Sequence, residues 1–172
     1  MKRFFFVLLV LAININVFAQ WEVNVTDDGF ERSVTSMVKA KGRNAYLGLS
    51  FFDPNVVLTI LTDEIRFKTD ITEVKVFMKV GDKVKEYSVI GLPLANHMMT
   101  LSPIMSPEDV NLDNTLSLMS GQFLSDFKMA TALKLKIEYQ RYFDGVYITD
   151  WEDFVFNMTG STNAYNRVKT QK

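Results

Sequence analysis

The sequence predicts a mainly β protein, an antiparallel β-sandwich with one short inserted helix and a short C-terminal helix. Three observations carry this. Apolar and polar residues alternate in many short segments separated by Gly, Pro, Asn and Asp, which is the pattern of half-buried strands. The period changes to a helical one in only two places. No alternating strand–helix–strand rhythm appears, which argues against a parallel sheet and for sandwich packing.

Trp21, Val23 and Val25 alternate with polar residues and lead into an Asp28-Gly29 turn. A second strand is expected over Glu31 to Ala40, with Val34, Ser36, Val38 and Ala40 on one face. Lys41 to Asn44 reads as a loop. Leu47, Leu49 and Phe51 alternate again before Asp53-Pro54-Asn55, and the continuous apolar run Val56 to Leu61 suits a strand buried on both faces. Glu73 to Ile90 reads as a hairpin around Gly81-Asp82, because Gly accepts the positive φ at the first position of a two-residue turn. That turn pairs Val76 with Tyr87 and Val74 with Val89, leaving Lys75, Lys79 and Glu86 on a wet face where Phe77 is out of place.

Pro93, Pro103 and Pro107 punctuate the following region. Short strands are expected at His97 to Leu101 and Leu116 to Met119, with irregular chain from Ser102 to Asn114. Phe123, Leu124, Phe127 and Ala130 fall at helical spacing and predict a helix from Gly121 to Thr131. Leu133, Leu135, Ile137 and Tyr139 then alternate with Lys134, Lys136, Glu138 and Gln140. After a turn at Phe143-Asp144-Gly145 the chain resumes as strand at Val146 to Ile148 and again at Phe154 and Phe156. Gly160 to Val168 reads as a terminal helix with Ser161 or Thr162 as its N-cap.

Residues 1–19 have the layout of a secretory signal peptide: Lys2 and Arg3, an apolar run from Phe4 to Ile13, and Val17-Phe18-Ala19 before Gln20. The run is too short to span a bilayer comfortably, so no stable membrane span is expected after cleavage. Residues 20–172 are then expected to form a single β-rich domain in the periplasm or outside the cell. Without Lys2 and Arg3 the chain carries 17 basic and 20 acidic residues. That mildly acidic balance argues against an electrostatic nucleic-acid binder. The sequence has no cysteine, which excludes disulfides, thiolate metal sites and a cysteine nucleophile and leaves stability to burial and hydrogen bonding.

Two groups of residues suggest chemistry. Tyr147 and Trp151 stand beside Asp150, Glu152 and Asp153, an arrangement of aromatics and carboxylates that can form a ligand or sugar platform. His97, the single histidine, lies near Met98, Met99 and Met105, a set of imidazole and thioether groups of the kind that binds soft Cu(I). The commoner reading of each is structural: strand core for the aromatics, turn and solubility chemistry for the acids, and opposite strand faces for Met98 and Met99. No cofactor is expected, and no catalytic residue is assigned. Asn24-Val25-Thr26 and Asn157-Met158-Thr159 match the glycosylation acceptor pattern, which matters only in a eukaryotic host.

Phe123-Leu124, Phe127, Ala130 and Ala132 lead into Leu133-Lys134-Leu135-Lys136-Ile137, and later comes Phe154-Val155-Phe156-Asn157-Met158-Thr159-Gly160-Ser161, then Ala164. This rhythm, with Trp21, resembles small bacterial exported proteins of the invasion-associated locus B type and the similar accessory proteins of type VI secretion. The resemblance implies a periplasmic or secreted β-sandwich with no established catalytic residues. The expected role is therefore non-enzymatic binding of an envelope or secreted partner. The alternatives are a glycan- or small-ligand-binding module and, third, a hydrolase.

Overall fold

The computed structural model describes residues 21–27, 32–52, 55–67, 72–103 and 118–170. The expected signal peptide, the turn at Asp28-Gly29, Pro54, Met105 and Pro107 lie outside the described residues. Among the described residues there are nine strands: β1 (Glu22–Asp27), β2 (Arg32–Lys39), β3 (Ala45–Phe52), β4 (Asn55–Thr62), β5 (Thr72–Val80), β6 (Lys83–Ala95), β7 (Met98–Pro103), β8 (Ala132–Phe143) and β9 (Val146–Asn157). Two helices join them, α1 (Gly121–Met129) between β7 and β8 and α2 (Ser161–Lys169) after β9.

The strands form one antiparallel sheet in the order β1-β2-β3-β4-β7-β6-β5-β8-β9. The sheet curls far enough for its far end to meet β2. Ala40 makes an isolated bridge with Phe156, and the Lys41 N–H donates to the Val155 carbonyl at 2.8 Å. The two arms of the sheet thus face each other around a shared core, as the alternation of the sequence predicts. Leu47, Leu49, Leu58, Ile60, Val74, Val76, Leu133, Leu135, Ile137, Phe154 and Phe156 line that core and are fully buried.

Both helices lie against this core. α1 buries Phe123, Asp126 and Phe127, and α2 buries Ala164, Tyr165 and Val168. Trp21 closes one end, meeting the Phe127 ring edge-on at 6.1 Å. Among the described residues no helix is long and apolar enough to cross a membrane.

The β5–β6 hairpin has the register the sequence predicts, Val76 opposite Tyr87 and Val74 opposite Val89. Gly81 takes a φ of +58° at the first turn position, as a two-residue turn of this type requires. Phe77 also finds its explanation. It lies opposite Lys134 of β8, whose ammonium stands 5.0 Å from the ring centroid, so a long cationic side chain covers an aromatic on the wet face.

Four expectations need correction. β4 is buried in full on one face only: Val56, Leu58 and Ile60 are covered, whereas Val57 and Leu61 are half-exposed. In an antiparallel sheet the second face has no crossover helix to bury it. The second hairpin strand, expected to end at Ile90 with Pro93 in the region beyond it, runs on as β6 to Ala95, through a register shift between Pro93 and Ala95, the kind of irregularity that tolerates proline. Leu118 and Met119 form a bend leading into α1 rather than a strand, and both are buried. Neither Ser161 nor Thr162 caps α2. Gly160 occupies the N-cap position with φ 89°, and no side chain caps there. The two hydroxyls donate instead to the last turn of α1, Ser161 Oγ to the Phe127 carbonyl at 3.1 Å and Thr162 Oγ1 to the Lys128 carbonyl at 2.9 Å. Carbonyls at a helix C-terminus have no partner within their own helix, and here the next helix supplies one.

Candidate functional site

The site is built on β8 and β9. Their two-residue turn, Asp144-Gly145, has φ values of 48° and 81°, and Asp-Gly is a favoured pair for positive φ at both positions. Twelve consecutive pairs follow without a shift, from Phe143–Val146 to Ala132–Asn157. β5, however, pairs with β8 only from Ala132 to Ile137. From Glu138 to Trp151, β9 is the only strand that pairs with β8 among the described residues, and Tyr139 still packs against the core.

Side chains that would be core further down the ribbon are uncovered here. Val146 is 63% exposed and Ile148 40%, although they share the face of buried Phe154 and Phe156. On the opposite face Trp151 is 40% exposed. The Lys136 ammonium lies 5.3 Å from its ring centroid, and Glu138 is its cross-strand partner.

Of the five residues expected to form a ligand platform, the strand divides those it describes between two faces. Trp151 and Asp153 face outward, with Asp153 taking an ion pair from Lys134 at 3.3 Å. Glu152 faces the other way and binds Arg43 Nη1 at 2.6 Å. Asp150 accepts the Trp151 backbone N–H at 2.9 Å. The side chain of Tyr147 lies outside the described residues, and its backbone pairs with Tyr142.

The proposed soft-metal set is also dispersed. His97 occupies the exposed β6–β7 turn, with Nδ1 3.2 Å from the Ile65 carbonyl. Met98 is half-exposed, while Met99 is fully buried on the opposite face. Met99 fills the space above Gly91, where a Cβ would collide with its sulfur. Among the described residues no group of three or more His, Cys, Asp or Glu is placed to hold a metal ion.

Two polar clusters escaped the sequence reading. Arg43, assigned only to a loop, donates Nε to Glu64 and Nη1 to Glu152, and its guanidinium lies 5.0 Å from the Phe154 ring centroid. The two carboxylates raise its pKa. Asn44 adds a backbone N–H bond to Glu64 and a side-chain bond to Asp63 at 2.8 Å. These contacts fasten the base of the ribbon to the β2–β3 loop and to the chain after β4. The second cluster is Asp126 on α1. It is fully buried and accepts from Lys85 Nζ at 2.7 and 2.8 Å, from Gln122 Nε2 at 3.0 Å and from the Tyr87 hydroxyl. Hydrogen bonds from Lys85 and Tyr87 lower the pKa of Asp126. Burial and the neighbouring carboxylate push the Tyr87 phenol up to about 12. The i, i+4 spacing of Gln122 and Asp126 was the one local signal for this cluster.

Comparison with known proteins finds no matching family model, no matching curated protein and no matching solved structure.

Proposed function

We propose that this chain is an exported, non-enzymatic β-sandwich protein that binds a partner of the cell envelope through the β8–β9 ribbon. One observation carries the reading: in the part of the β8–β9 ribbon where no other described strand pairs with β8, Val146, Ile148 and Trp151 are exposed. Val146 and Ile148 share one face of the ribbon and Trp151 lies on the other, and neighbouring exposed apolar side chains mark interaction sites. The Arg43 cluster holds the base of the ribbon against the body, as a presented binding element requires. The leader-like residues 1–19 and the resemblance of the C-terminal half to exported bacterial proteins support the location.

The experiment is retention of a partner from envelope extract by the mature protein and by a variant carrying Val146→Ser, Ile148→Ser and Trp151→Ser. The reading predicts loss of the partner with an unchanged melting temperature. Equal retention by both proteins contradicts it.

A second reading, glycan binding, is favoured by one feature. Trp151 presents an exposed indole beside Lys136, Glu138 and Asp153. It predicts that Trp151→Ala alone abolishes binding to an oligosaccharide array.

A further inference from the structure

We draw no further inference here: the strongest candidate, the outward sheet face on which Lys75 of β5 stands opposite Lys136 of β8 beside exposed Trp151, carries none, because Lys75 pairs with Glu86, Lys134 with Asp153 and Lys136 with the Trp151 ring within the chain, and nothing in the structure shows what covers it.

Discussion

Asp126 is fully buried on α1, and both its oxygens lie within 2.8 Å of Lys85 Nζ on β6. The pair fastens the inserted helix to the sheet, and Tyr87 and Gln122 complete the carboxylate's partners. Asp126 is buried, whereas the Lys85 side chain is 37% exposed, so removing Lys85 strands a buried carboxylate, which costs more than removing both members. Lys85→Met should therefore lower the melting temperature more than the double variant Asp126→Leu, Lys85→Met. Thermal denaturation of the two checks this.

The same cluster sets a pH dependence. The pKa of Asp126 is lowered by folding, so its contribution is present above the carboxylate's ordinary range and is lost as pH falls through the folded value. The pKa of Tyr87 is raised to about 12, so its contribution is present below about pH 10, the unfolded value, and is lost as pH rises toward 12. Urea denaturation against pH should show both losses in the native protein. Asp126→Asn should flatten the acid limb.

Arg43 joins two carboxylates, Glu64 and Glu152, that belong to distant segments. Arg43→Ala should cost about 1–2 kcal/mol, between the values for exposed pairs and for charge-assisted bonds. The cost should shrink in high salt. Arg43→Lys should recover little, because a single ammonium cannot reproduce the two-direction fork. Chemical denaturation at low and high ionic strength checks both.

Gly91 and Met99 share one space in the core. Gly91→Ala should destabilise by about 1–3 kcal/mol through overpacking. The double variant Gly91→Ala, Met99→Val should recover part of that loss, and the double-mutant cycle gives the coupling.

Ser161 is buried and donates to the Phe127 carbonyl at 3.1 Å. Ser161→Ala should cost about 1–2 kcal/mol, since it leaves a helix-terminal carbonyl unpaired. Thr162→Ala, at an exposed position, should cost less. Comparing their denaturation midpoints tests the bond between the two helices.

What the sequence revealed follows the range of the interactions. The β5–β6 register was legible because Gly81-Asp82 and the alternation around it are local. Phe77 was not, because Lys134 reaches it from a strand far along the chain. Ser161 was recognised as a hydroxyl near a helix start, but its acceptor belongs to another helix. Trp151 and its carboxylates were identified as a group, yet alternation along β9 separates Glu152 from Trp151 and Asp153. The point where β5 stops pairing with β8 among the described residues had no side-chain signature at all.

The proposed role of the β8–β9 ribbon as the binding element is open to photo-crosslinking in envelope extract, with a photoreactive residue placed at Ile148 and, as a control, at Lys79 on another strand. One dominant protein adduct is expected from position 148 and none from position 79. Adducts of equal yield from both positions, or none from position 148 while the mature protein still retains its partner, would contradict it.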